Sequence, residues 1–324
     1  MSTDDPAAAP AAFAANHSAS SRIYDFAQVD VFAERPLEGN ALAIFTDARG
    51  LSTDEMQALA RETNLSETTF ILPRDPEIER ERGIQVRIFL TTEEVPFAGH
   101  PTLGTASWLY FNHPTFRGAE QITLDLGIGP IRIRFQTPLP REIGVFGTMQ
   151  QNDPTFGEVL SSLDDRAAVA NALSLAIDDL DPHLSAQVIS TGMAFCIVPL
   201  RSLEVASRLR ITTQNSRPFL DRVGAKFFHC ITPANENSTA QWHARMQFDS
   251  GEDPATGSAS GCTIAYLVRH GLVASGQQIV IEQGIEMLRP SRIHISAVIE
   301  DGVVTKVFVG GRTIPVAMGR FFLP

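Results

Sequence analysis

Apolar and polar positions alternate along this chain in a pattern that predicts strands and a few helices, laid out twice. Residues 23–33 have strand composition, and 41–45 read as a short buried strand after the turn Leu37-Glu38-Gly39-Asn40. Ser52-Thr53-Asp54-Glu55 is a capping box, Ser52 capping a helix that puts Met56, Leu59 and Ala60 on one face. Strands are expected at 67–72 and, alternating in and out, at 84–90. A helix over 100–111 and a hairpin of 122–126 with 131–135 follow. Pro138 and Pro140 mark a junction. Beyond it the pattern predicts a strand at 143–149, a helix at 164–175 and one strand near 187–200. Helical segments at 203–209 and 218–223, strands at 226–231 and 242–248, and a helix at 258–270 come next. Strands at 278–283, 292–300 and 304–309 close the series, and 312–322 are expected to pack back on the first half. The fold class is α+β, each half a curved, mainly antiparallel sheet around one apolar helix.

The two apolar helices begin alike. Glu94-Val95-Pro96-Phe97-Ala98-Gly99-His100 and Glu252-Asp253-Pro254-Ala255-Thr256-Gly257-Ser258 share a Glu-x-Pro-x-x-Gly skeleton, 158 residues apart. In that register Thr105 meets Thr263, Trp108 meets Tyr266 and Leu109 meets Leu267. The division expected is 22–137 with 312–324 as the first half, 138–311 as the second, and 1–21 as a disordered tail too weakly apolar for a signal segment.

Composition narrows the function. The 324 residues, 44% hydrophobic and 19% charged, suit a globular chain long enough for two cores. A net charge of −11 opposes binding to phosphate backbones, so no nucleic-acid partner is expected. No run reaches the ~20 apolar residues that span a bilayer. Three cysteines without a C-x-x-C, in a chain with no secretory segment, point to a reducing cytoplasm. The remaining histidines lack metal-ligand spacing, so no metal site is expected. Residues 257–261 do not read G-x-S-x-G, and neither a dinucleotide fingerprint nor a P-loop lysine occurs.

A helix N-terminus offers unpaired N–H groups and about half a positive charge, so two of them facing one cleft would hold a carboxylate or phosphate. Gly and Ser there could equally be plain caps; the repetition favours the anion site. The halves differ chemically: Asp253 stands where the first has Val95, and Ser258 where the first has His100. A looser match sets Ser66-Glu67-Thr68 beside Ser190-Thr191-Gly192, leaving Glu67 without an ionisable counterpart. One carboxylate on one side of a cleft suits a base that removes a proton and returns it elsewhere, provided burial lifts its pKa toward neutrality. Glu67 could also be a solvated acid at a strand start, Asp253 a turn former, and His100 a cap.

Several blocks then resemble one family: Val29-Asp30-Val31-Phe32, Gly39-Asn40, Asn64-Leu65-Ser66-Glu67-Thr68-Thr69-Phe70, Gly99-His100-Pro101-Thr102-Leu103-Gly104, Glu252 to Ala259, Gln283-Gly284 and Arg289-Pro290-Ser291. Together they resemble the PhzF-type phenazine biosynthesis isomerases over about residues 23–311. The resemblance implies the diaminopimelate-epimerase-like fold, a cofactor-free isomerase, a homodimer, and a small carboxylated substrate of the dihydro-hydroxyanthranilate kind. It implies Glu67 as proton shuttle, assisted by His100, Asp253 and Ser258, with Asn40, Ser66, Gly99 and Gly257 at the substrate. Two-cysteine racemases of this fold carry thiols where this chain has Ala98 and Thr256, which argues against their mechanism. Departures are Ala41 and Leu288, and a short Asp249-Ser250-Gly251 linker that bears on substrate choice. A non-catalytic small-anion binder, or a lyase or epimerase using the same carboxylate, stays open.

Overall fold

The computed structural model describes residues 22–248 and 251–324; the expected N-terminal tail, and Asp249 and Ser250 of the short linker, lie outside them. Seventeen strands form the described sheet system. The first repeat runs β1 (Arg22–Val31), β2 (Asn40–Phe45), α1 (Thr53–Thr63), β3 (Glu67–Leu72), α2 (Pro76–Arg82), β4 (Ile84–Leu90) and β5 (Glu94–Val95). It continues through α3 (Gly99–Asn112), β6 (Gln121–Leu126), β7 (Gly129–Gln136) and β8 (Val145–Gln150). The second runs β9 (Thr155–Leu160), α4 (Leu163–Ala172), β10 (Ala186–Ser190), β11 (Ala194–Pro199), α5 (Leu203–Arg208) and α6 (Thr213–Val223). Then come β12 (Phe227–Pro233), β13 (Trp242–Phe248), β14 (Gly251–Asp253), α7 (Gly257–Arg269), β15 (Ile279–Gln283), β16 (Ser291–Glu300) and β17 (Val303–Leu323).

α3 and α7 are buried on almost every face, as helices apolar all round must be. Two of their serines are satisfied within the helix. Ser107 Oγ donates to the Leu103 carbonyl at 2.8 Å and Ser260 Oγ to the Thr256 carbonyl at 2.9 Å. Both helices pack into one large core with strands of both repeats. A second core lies between the outer helices α4–α6 and the back of β10–β12, and a third under α1.

Where the sequence pattern suggests one strand over 187–200, the chain turns at Thr191-Gly192-Met193, with Gly192 at φ 137°, and makes β10 and β11. The pattern also leaves out β9 and α2. The expected return of 312–322 is present as the end of β17, a strand of 21 residues. It pairs with β16 and β8, then with β1 from Val31↔Thr313 to Arg22↔Leu323, stitching the repeats together.

Strand register equates the repeats residue by residue. Phe70 pairs Arg87 across β3–β4, and Cys230 pairs Arg245 across β12–β13. Ile84 pairs Leu124 in parallel, and Trp242 pairs Ile281 likewise. β3 is therefore equivalent to β12, not to the Ser190-Thr191-Gly192 segment, and this corrects the looser match. Glu67 falls opposite Phe227, and Asn40, two residues before Leu42 (the partner of Glu67), falls opposite Met193, two before Phe195 (the partner of Phe227). The absence of an ionisable counterpart to Glu67 stands, on a different pairing.

The repeat also fixes how each Glu-x-Pro-x-x-Gly turn is seated. Gly127 and Gly284 sit one residue after β6 and β15, and a Cβ on either would come within 2.9 and 2.7 Å of Pro96 and Pro254 backbone atoms. Each proline thus rests on a glycine of the neighbouring strand.

Candidate active site

The two turns deliver α3 and α7 tip to tip. The N-cap residues, Ala98 and Thr256, make no side-chain capping bond, so the first N–H groups of each helix are left for another acceptor. A Cβ on Gly99 would lie 3.4 Å from the Ser258 nitrogen and 3.2 Å from Met149 Cε, while one on Gly257 would lie 3.1 Å from the Phe32 ring. A side chain at either glycine would crowd this junction by a few tenths of an ångström. Phe32, itself at φ 61° and fully buried, is the floor beneath Gly257.

Side chains of both repeats converge on the junction. Asn40, at the start of β2, donates from Nδ2 to Asp253 Oδ1 at 2.7 Å and to the Ala255 carbonyl at 3.1 Å, and lies 3.3 Å from His100 Nδ1. The carbonyl can only accept, which fixes the carboxamide nitrogen on this side. His100 Nδ1 then faces an amide nitrogen that cannot accept, which favours the neutral ring with its proton on Nε2. Burial pushes the His100 pKa down to about 3, so the ring stays neutral. Its Nε2 points toward Glu67 Oε2 at 3.5 Å.

Asp253 is held from the other side as well. Thr256 Oγ1 donates to its Oδ2 at 2.6 Å. The Gln283 carboxamide donates to the Asp253 carbonyl at 2.7 Å and to Thr256 Oγ1 at 2.9 Å, and accepts from the Thr256 nitrogen at 3.2 Å. Burial lifts the Asp253 pKa to about 6 against the lowering hydrogen bonds of Thr256 and Asn40. Burial also lifts Glu67 to about 8, and the nearby Asp253 charge adds to it. Among the described residues, Glu67 Oε2 and His100 Nε2 are buried without a hydrogen-bond partner. This pair of unpartnered atoms lies at the meeting point of two uncapped helices, which makes the junction the candidate site.

Behind the site the repeats use one device in two chemistries. Thr105 Oγ1 meets Thr69 Oγ1 at 2.9 Å, and its equivalent Thr263 meets His229 Nδ1 at 2.7 Å. His229 also reaches Gln283 Oε1 at 3.5 Å, and burial lowers its pKa to about 4, leaving it a neutral support.

Of the residues singled out from the sequence, Glu67, His100, Asp253, Asn40, Gly99, Gly257 and Ser258 come together here. Ser66 does not: it is exposed just before β3 and makes no bond to the cluster. The sequence reading gave no role to Gln283, Thr256 or His229. His229 is a lone polar residue inside an apolar strand, and Gln283, although part of the Gln283-Gly284 block, carries no local sign of its partners.

The sequence profile of the PhzC-PhzF family, phenazine biosynthesis-like proteins, matches residues 29–319. The chain belongs to this family. Among its relatives, the trans-2,3-dihydro-3-hydroxyanthranilate isomerase of Pseudomonas chlororaphis is 33% identical over 93% of this chain and 100% of its own. Two solved structures share the fold. A Bacillus anthracis protein of the PhzF family superposes with a TM-score of 0.80 at 24% identity, covering 93% of this chain and 99% of its own. A Pseudomonas aeruginosa protein described as a predicted epimerase reaches 0.76 at 34% identity, covering 92% and 99%. The fold is α+β and of the diaminopimelate-epimerase-like kind. Within this family's fold, the site sits where the two repeats meet.

Proposed function

We propose that this family member is a cofactor-independent isomerase that moves a proton between carbons of a small carboxylated substrate, with Glu67 as the carrier. The observation that carries the reading is the buried, unpartnered Glu67 carboxyl beside His100 Nε2, at the junction of two uncapped helix N-termini. The helix ends at Gly99 and Gly257–Ser258 would take the substrate carboxylate, and the neutral His100 would donate from Nε2 to a developing oxyanion or to Glu67 itself. Asp253 and Asn40 would keep that tautomer in place.

Phe227 at the position equivalent to Glu67 argues for one base over two. A two-base epimerisation needs a free titratable group on each side of the reacting carbon; the second repeat has Phe227 and Met193 at the positions of Glu67 and Asn40, and its carboxyl at the junction, Asp253, is engaged by Asn40 and Thr256. A proton taken by Glu67 would therefore return to the same face at another carbon. The Pseudomonas chlororaphis relative makes a dihydro-hydroxyanthranilate or a similar cyclic amino acid the first substrate to try. We place the enzyme in the cytoplasm as a homodimer.

Incubation with such acids in D₂O, followed by mass spectrometry of the recovered ligand, tests the reading. Deuterium in C–H positions is expected with wild type. A ligand that binds but is recovered both unisomerised and without deuterium would reject isomerase activity and leave a small-anion binder.

The pH profile follows from the same group. A base must be ionised, and Glu67 keeps its proton to about 8. The plot of log kcat/KM against pH is expected to climb with a slope near one through neutrality and to level above about pH 8, the value belonging to the Glu67–Asp253 pair. A profile already flat from pH 5 would remove Glu67 as the base.

A further inference from the structure

Away from the site, the repeats differ in how one position is filled. After β15, residues 284–290 form a loop that lays Glu286 against His243, Nε2 to Oε1 3.1 Å, and near Arg245, Nε to Oε2 3.8 Å. The first repeat closes the equivalent connection between β6 and β7 with only Gly127 and Ile128. By register Gln85 stands where His243 does, Arg87 where Arg245 does, and Asp125 where Glu282 does. Nothing in the short turn takes the place of Glu286. A cavity of about 310 Å³ lies there, lined by Arg74, Arg82, Gln85, Arg87, Glu94 and Asp125 among others.

The lining carries three guanidinium groups against two carboxylates, on a chain whose net charge is −11. Arg87 is committed to Glu94, at 2.7 and 2.6 Å. Arg74 reaches Asp125 from Nη1 at 2.8 Å and the Gly83 carbonyl from Nη2 at 2.8 Å, yet its buried Nε has no partner among the described residues. Arg82 shares the same Asp125 at 3.2 Å with its side chain 58% exposed. Two arginines thus divide one buried carboxylate and keep donors to spare, where the other repeat brings in a second carboxylate of its own.

We propose that this cavity is a second oxyanion site, separate from the Glu67 cleft, which takes a small carboxylate in the position that Glu286 holds in the other repeat. Gln85 and Arg87 flank that position as His243 and Arg245 flank Glu286, and Arg74 and Arg82, on the Asp125 side of the same lining, add guanidinium donors. The site shares β4 and β5 with the Glu94 turn that leads into α3.

Phenylglyoxal labelling of arginines in the full-length protein, read peptide by peptide, tests the proposal. Potassium succinate and potassium phosphate are the probes, with potassium chloride at matched ionic strength as control. Succinate is expected to slow labelling of Arg82 by the factor 1 + [L]/Kd, about tenfold at nine times Kd, while Arg49, 67% exposed and paired only locally, labels at an unchanged rate. Gln85→Glu, which places a carboxylate in the cavity, is expected to abolish the succinate dependence. Protection by succinate, alone or together with phosphate, supports the site. Protection by phosphate only would overturn the carboxylate assignment. Equal slowing of Arg49, or no slowing by either anion, would overturn the site, and neither result bears on Glu67.

Discussion

Glu67→Gln is expected to cut turnover by about 10²–10⁴-fold, the usual range for one general acid–base group, while leaving substrate affinity nearly unchanged. The isosteric amide keeps the shape of the pocket and a polar contact to His100, but it cannot take a proton. Steady-state kinetics paired with calorimetric binding separates the two effects. Full turnover in the variant would mean that another group carries the proton. Stability should move the other way. The folded protein holds the Glu67 proton to about 8, whereas the unfolded chain gives it up near the ordinary 4.5. Between those values the folded state binds more protons, so stability falls as pH rises. Glu67→Gln should remove that slope and make the protein more resistant to urea at pH 9 than wild type. A site tuned for proton transfer is a source of instability.

Arg245→Met is expected to destabilise the fold by about 3–5 kcal/mol, because it leaves the Glu252 carboxylate without its buried partner. Arg245 is 2% exposed and binds Glu252 through two bonds of 2.8 and 2.6 Å. It also donates to the Ala206 carbonyl at 2.6 Å and the Ser207 carbonyl at 3.2 Å, closing the end of α5. Arg87–Glu94 is the same pair in the first repeat, with side chains 25% and 39% exposed. Arg87→Met should therefore cost only about 1 kcal/mol or less. Urea unfolding of both variants measures the contrast; equal losses would show that burial does not decide the value of this pair. Glu252 begins the turn that carries Asp253, so the Arg245 variant should also lose activity.

Much of this architecture is legible in the chain itself. The Glu-x-Pro-x-x-Gly repeat predicts two equivalent helix starts because proline, glycine and an apolar helix constrain the backbone locally. It puts Gly99 and Gly257 in matching places without any knowledge of the fold. The departures at Val95/Asp253 and His100/Ser258 mark the asymmetry for the same reason. The strand that starts at Glu67 is also readable, from its run of β-branched and apolar residues.

The partner of that strand is not. Ser66-Glu67-Thr68 and Ser190-Thr191-Gly192 look alike as letters, but hydrogen-bond register ties β3 to β12 and sets Glu67 opposite Phe227. Register is a long-range property, fixed by which strands lie side by side. The roles of Gln283 and His229 escape sequence reading on the same ground, since their partners Asp253, Thr256 and Thr263 are distant along the chain or meet them only once the sheet has closed. The pKa order is tertiary too: Glu67 near 8, Asp253 near 6 and His100 near 3 follow from burial, with the Asp253 charge adding to Glu67, not from residue type. By itself the sequence determined a duplicated α+β fold with one unmatched carboxylate, because local backbone chemistry and hydrophobic period are written in neighbouring residues. Only the tertiary structure decided which groups share that carboxylate's pocket and which of them hold a proton, because desolvation and hydrogen bonding depend on packing between distant segments.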